Sequence, residues 1–384
     1  MMAQSIAGQW QGTVNVNGSD IPFRFELAGD GANVSGTFFN GDERYNSTAG
    51  LLDHNTLELK WDYFASKLTA TVSGDRLDGS YERGRGRPIP FHAEKGAAKP
   101  ADPKAPSIDG LWILEDVKSS KGESAWNFIV KQNGGNAAAS ILRIDGDTGT
   151  LTGSYHDGKF VLSHFSGQRP ARIEVSLNPD GTLKVVDGKN IMTGIRPAEA
   201  HAKSLPEPTD PLTHTGVKNA SERFHFSFKD LNGNLVSDTD ARFKDKVVLV
   251  DVMGSWCPNC HDETPFLTDL YRKYRSQGLE IVALSFEEAD QLKDPARLRA
   301  FIKRYGIDYT VLLCGTTEEA KEKLSQTQNW DSWPTTFFLG RDGRVRAVHA
   351  GFPSKASGEL YTKQTEEFTQ QVERLLAENS LTLR

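Results

Sequence analysis

Val247 to Met253 form a nearly unbroken apolar run, interrupted only by Asp251, that leads through Gly254-Ser255 into Trp256-Cys257-Pro258-Asn259-Cys260. A strand that apolar has to be covered on both faces, which calls for helices packed on either side of a mainly parallel sheet. The downstream pattern agrees. A helix is expected from Pro258 to Gln277, a strand over Glu280 to Ser285, and a helix opened by Asp294-Pro295. A short strand Thr310 to Leu313, a helix near Thr317 to Gln328 and the hairpin Thr335 to Leu339 and Val345 to His349 follow. The last helix carries Phe368, Val372, Leu375 and Leu376 on one face.

That layer needs only part of 384 residues, and at about 150 residues per domain the chain has room for two or three. The upstream part repeats itself: Gly8-Gln9-Trp10 matches Gly110-Leu111-Trp112, Phe25 matches Phe128, Gly50 matches Gly153 and Ala70 matches Val175, at offsets of 102 to 105. Tandem duplication of one module is the economical reading. Each copy alternates apolar and polar residues between Gly, Asn and Asp turns, as in Phe23 to Leu27, Thr56 to Trp61 and Ile173 to Leu177, so a small antiparallel barrel or sandwich of about seven or eight strands is expected, without helices. The Gly-x-Trp openings resemble those of lipocalin-like barrels. Stretches rich in Pro and Ala read as linkers. The expected layout is β module 1 over 1–96, a linker over 97–107, β module 2 over 108–196, a linker over 197–216 and an α/β domain over 217–384.

Forty-five Lys and Arg against 51 Asp and Glu leave a net charge of −6, the wrong sign for a chain that depends on phosphate contacts, so nucleic acid is not an expected partner. The longest apolar stretch is far short of the roughly 20 residues of a spanning helix, and no transmembrane segment is expected. Met1-Met2-Ala3-Gln4-Ser5 reads as a start placed on a mature exported chain. Three cysteines cannot make a disulfide scaffold, which turns attention to the pair Cys257 and Cys260.

A cysteine at the start of a helix meets unpaired amide N–H groups and the positive end of the helix dipole, both of which favour a thiolate. Cys257 is therefore the expected nucleophile. Cys260, one turn further, is placed to attack the mixed disulfide and resolve it. With the strand and helix order, this segment resembles the TlpA/ResA-like thiol–disulfide oxidoreductases of the thioredoxin superfamily from about Phe224 to Asn379. The resemblance implies a thioredoxin-like domain and gives Asp251, six residues before Cys257, the place of the buried acid that accepts the proton of the resolving thiol. Pro265 matches the kinking proline of the active-site helix. Trp333-Pro334-Thr335-Thr336-Phe337 matches the cis-proline loop, so that Trp256, Pro258, Trp333 and Pro334 would line the substrate. Ile281 to Glu288 matches the strand end expected to carry an active-site glutamate, placed at Glu288 without gaps. ResA-like members generally lack the acid at the Asp251 position, which leaves the choice of proton acceptor between Asp251 and Glu288 open.

Other readings of these residues exist. A zinc site wants four ligands and no second pair is present. Cys257 to His261 fits the CxxCH pattern of covalent haem, but the strand already explains the context, and His261 reads as a solvent-facing residue or a tuner of thiolate charge. A dedicated thiol peroxidase needs Thr or Ser where Gly254 stands. Cys314 reads as a structural thiol, and Arg83-Gly84-Arg85-Gly86-Arg87 as a solvated hairpin. The expected protein is an exported or periplasmic thiol–disulfide oxidoreductase with no cofactor beyond its Cys257–Cys260 couple. It would act on protein thiols and disulfides, draw on an upstream electron donor, and use its β modules for recognition or anchoring. The competing class is a binding protein whose function lies in the β repeats.

Overall fold

A computed structural model describes residues 5–84, 86–96 and 99–378. Met1 to Gln4 of the opening segment, Arg85 of the basic run, Ala97 and Ala98 of the first linker and the last six residues lie outside the described residues. The chain divides into two compact units, Met1–Leu142 with Thr148–Pro208, and Arg143–Asp147 with Thr209–Arg384.

The first unit holds both β modules. In the first, a nine-stranded antiparallel meander starts at Gly8–Val16, which pairs with Ser19–Ala28 and also with the last strand, Ile89–Lys95. In the second, Gly110–Glu115 pairs with Trp126–Asn133 and with the last strand, Asn190–Ile195, while Trp126–Asn133 also pairs with Asn136–Arg143 and closes the sheet into a ring. The repeat is reproduced down to register. Trp10 lies opposite Phe25 as Trp112 does opposite Phe128, and Gly50 opposite Leu59 as Gly153 does opposite Leu162. Each tryptophan donates its indole N–H to the carbonyl four residues earlier, Ile6 or Ile108, at 2.9 Å.

Side chains fill the first module: Trp10, Phe25, Phe38, Leu57, Leu59, Trp61, Leu68, Leu77 and Tyr81 are all fully buried. The two modules are not separate beads. Phe165 of the second reaches the aromatic cluster of the first, with ring centroids 5.0 Å from Phe23, 5.3 Å from Phe38 and 5.2 Å from Tyr81. The Tyr81 hydroxyl meets the Gly167 carbonyl at 3.2 Å.

Two expectations need correction here. Pro197–Ala202 inside the 197–216 linker is a short helix started by Pro197, and Ala200 packs against Ile113, Ala125 and Ile195. The last linker residue, Gly216, opens the strand Gly216–Val217, which pairs with Thr327–Gln328. The first module has nine strands where seven or eight were expected, because Ser35–Asn40, Glu43–Asn46 and Ala49–Asp53 are separated by turns of only two residues.

In the second unit the strands are β1 (Ser227–Asp230), β2 (Leu235–Ser237), β3 (Val247–Met253), β4 (Leu279–Glu287), β5 (Thr310–Thr316), β6 (Thr335–Leu339) and β7 (Val345–Ala350). The main helices are α1 (Pro258–Tyr274), α2 (Ala296–Tyr305) and α3 (Glu359–Ala377). The sheet order is β2-β1-β5-β4-β3-β6-β7, with β3, β4 and β5 parallel and β6 antiparallel to β3. This is the thioredoxin-like order expected from the sequence. All seven residues of β3 are buried, as its composition demands.

Val248, Val250 and Val252 face a core with Phe337, whereas Val247, Leu249 and Met253 face Leu267 and Leu270 of α1 and Phe368 of α3. Strand alternation puts Asp251 on this second face. The helix expected near Thr317 to Gln328 shrinks to Ala320–Lys323, since only Ala320 and Leu324 have a buried face to offer before the chain turns into the Thr327–Gln328 strand. Among the described residues, no helix is long and apolar enough to cross a membrane.

Candidate active site

Cys257 is the N-cap of α1, with Pro258 in the first turn, where its missing N–H costs nothing. The Cys260 amide donates to Cys257 Sγ at 3.3 Å. The Cys257 thiol lies 3.5 Å from the Trp333 carbonyl, and the Trp333–Pro334 peptide bond is cis. Both cysteines are buried, Cys257 at 3% and Cys260 at 1% exposure, because Trp256 and Trp333 pack into the same cluster as the two cysteines. Trp256 donates to the Phe286 carbonyl at 2.9 Å, and its ring lies 5.3 Å from that of Trp333, which also meets Trp330 at 5.0 Å. An aromatic wall therefore flanks the dithiol.

Behind Cys260 lies a pair of acids. Asp251 on β3 is opposite Thr336 on β6, and the Thr336 hydroxyl donates to Glu263 Oε1 at 2.8 Å. Glu263, three residues after Cys260, occupies the same face of α1 one turn on. Burial pushes the Asp251 carboxyl up to about 7, against a smaller opposing effect of its hydrogen bond with Glu263. Glu263 is raised well above the usual carboxylate range by burial first and by the Asp251 charge second. Burial likewise raises the Cys260 thiol, helped by Cys257 and by Asp251. Two carboxyls in so dry a space share a proton, since both cannot ionise together at low cost.

Glu263 escaped the sequence reading, although its helical spacing from Cys260 was enough to find it. The acid placed at Glu288 pairs with the Arg297 guanidinium, as does the fully buried Glu287 at 2.6 Å. His261 is not solvent-facing. It is 2% exposed, held between the Tyr305 hydroxyl at 2.8 Å and the Ser255 carbonyl at 3.0 Å, because α2 covers that side of α1. Cys314 is buried with its thiol 3.5 Å from the Leu312 carbonyl. Asn259, between the two cysteines, donates to the Asp145 carbonyl, and the Asp147 carboxylate accepts from Ser354 Oγ at 2.5 Å, both contacts lying inside this compact unit.

The AhpC/TSA family model matches residues 221–348. The thiol–disulfide oxidoreductase ResA of Bacillus thuringiensis (strain Al Hakam) is 30% identical over 140 residues, which make up 36% of this chain and 74% of that relative. The chain belongs to the TlpA/ResA-like thiol–disulfide oxidoreductases. ResA of Bacillus subtilis (strain 168) is 28% identical over 135 residues, 35% of this ResA-like chain and 69% of its own, and the thioredoxin-like protein YneN of the same organism is 30% identical over 140 residues, 36% and 76%. Among solved structures, a putative thiol:disulfide interchange protein DsbE from Chlorobium tepidum is 22% identical, with a TM-score of 0.33 over 41% of this chain and 96% of that one.

Proposed function

We propose that this protein reduces disulfides of protein substrates in an exported compartment, using Cys257 as nucleophile and Cys260 as resolving thiol. The carrying observation is the buried Asp251–Glu263 pair behind a Cys260 whose amide donates to Cys257 Sγ. The Cys257 thiolate attacks one sulfur of a substrate disulfide. That S–S bond breaks, a mixed disulfide forms, and the leaving thiolate takes a proton. The Cys260 thiol then gives its proton to the ionised member of the acid pair and attacks Cys257 Sγ, releasing the second substrate thiolate. Two electrons have moved to the substrate, and the Cys257–Cys260 disulfide is reset by a dithiol donor. No further cofactor is needed. The Trp256, Trp333, Pro334 and Pro258 surface would seat the substrate segment beside Cys257. The β modules would recognise or anchor partners.

The reduced protein should reduce insulin. Cys257→Ser should abolish turnover, Cys260→Ser should trap mixed disulfides only while Cys257 is present, and Cys314→Ser should leave turnover intact. Loss of turnover in Cys314→Ser alone, or normal turnover without Cys257, would remove the pair from its role, and a reduced wild-type protein without turnover would favour the binding-protein alternative. A thiol peroxidase is the lesser alternative, favoured by the AhpC/TSA match. Against it, a Cβ at Gly254 would lie 2.2 Å from the Trp256 indole nitrogen and 2.7 Å from the Phe286 carbonyl, so the hydroxyl residue that chemistry needs has no room.

A further inference from the structure

The turn that delivers Cys257 is gripped at every polar atom of Ser255. The Ser255 amide donates to Glu287 Oε1 at 2.8 Å and its hydroxyl to Glu287 Oε2 at 2.8 Å. Arg297 Nε donates to the same hydroxyl at 2.8 Å, and His261 Nε2 donates to the Ser255 carbonyl at 3.0 Å. Glu287 also accepts from Ser285 Oγ at 2.7 Å and from Arg297 Nη2 at 2.6 Å. The Glu287 and Arg297 side chains are 0% and 2% exposed.

One face of α2 serves this turn. Arg297, Phe301 and Tyr305 follow at i, i+4 and i+8. Phe301 packs its ring 4.7 Å from that of His261, and the Tyr305 hydroxyl takes the other imidazole nitrogen. Removing two charges from water costs several kcal/mol per ion, and replacing a buried ion pair by well-packed apolar side chains of equal volume is often neutral or stabilising. Stability alone therefore does not account for an ion pair here, and three of its hydrogen bonds end on Ser255, the residue two before the nucleophile.

We propose that Arg297 and Glu287 are positioning residues for the dithiol: through Ser255 they fix the turn ahead of Cys257, and so set the reactivity of Cys257 and the potential of the couple. This rests on the dithiol reading above. A serine hydroxyl that both accepts from Arg297 and donates to Glu287 locks the turn in one orientation, and a nucleophile misplaced by about 1 Å can lose on the order of a hundredfold in rate.

The test uses the full chain with Ser255→Ala, which removes the hydroxyl and leaves the ion pair, and Glu287→Gln, which keeps the shape and removes the charge. Val236→Ala, a buried residue of β2, controls for lost stability. Three quantities are read: the midpoint potential of the couple, the rate and pH profile of Cys257 carboxymethylation, and the melting temperature. Ser255→Ala is expected to slow carboxymethylation by roughly tenfold or more and to displace the midpoint potential. Val236→Ala should lower the melting temperature and change neither. Combining Ser255→Ala with Glu287→Gln should add little to the larger single effect. If folded Ser255→Ala keeps the wild-type potential and carboxymethylation profile, the positioning role is overturned, and this variant decides the matter should Glu287→Gln fail to fold. A wild-type protein whose Cys257–Cys260 couple does not cycle at all overturns the dithiol reading instead.

Discussion

Asp251 and Glu263 are two carboxyls in one dry space, and burial favours the neutral form of both. In the unfolded chain such acids ionise near about 4, so in the window from about pH 4 to about pH 7 the folded protein holds a proton that the unfolded chain has lost. The stability that Asp251 contributes therefore falls as pH rises through that window. Asp251→Asn should flatten this loss, gaining on the order of a few kcal/mol relative to wild type between about pH 5 and about pH 8. Urea unfolding at both pH values checks it, and an equal midpoint shift in both proteins would show that Asp251 is ordinary. The same variant should slow resolution of the mixed disulfide more than its formation. Cys257, Cys260 and Asp251 were legible because motif and strand alternation are local. Glu263 was legible by helical spacing from Cys260 but was not singled out. Arg297 was not, since its partner Ser255 is 42 residues away and no period in the sequence joins them.

At the scale of elements, the repeat was readable to the level of register because Trp and Gly mark equivalent strand positions in both copies. The contact made by Phe165 was not, because a lone aromatic after a strand looks the same whether it caps its own sheet or enters a neighbour's core. Its burial at 1% predicts that Phe165→Ala costs about 3–5 kcal/mol. Hydrogen exchange should then quicken in both Gly8–Val16 and Gly110–Glu115. Faster exchange in the second strand alone would mean that the two sheets fold independently. The helix lost between Thr317 and Gln328 teaches the converse: polar helix formers without an apolar face yield to a short strand pairing that the local pattern does not reveal.

At the scale of the molecule, the division into units moves the boundary of the oxidoreductase part. Besides the Gly216–Val217 pairing, the Pro211 carbonyl accepts the Ala350 amide at 2.9 Å. A fragment Thr209–Arg384 should fold and reduce insulin at a rate comparable with the full chain, whereas one begun after Val217 should melt lower for want of these contacts. An inactive Thr209–Arg384 fragment would show that Arg143–Asp147, which belongs to the same unit, is required. The packed interior of the first β module has a consequence of its own. A vessel that is already full carries no cargo. Any partner chosen by this module would be read on its outer skin, in turns and strand edges, so partner choice and core composition are free to evolve independently: one is written on the outside of the sheet, the other inside it.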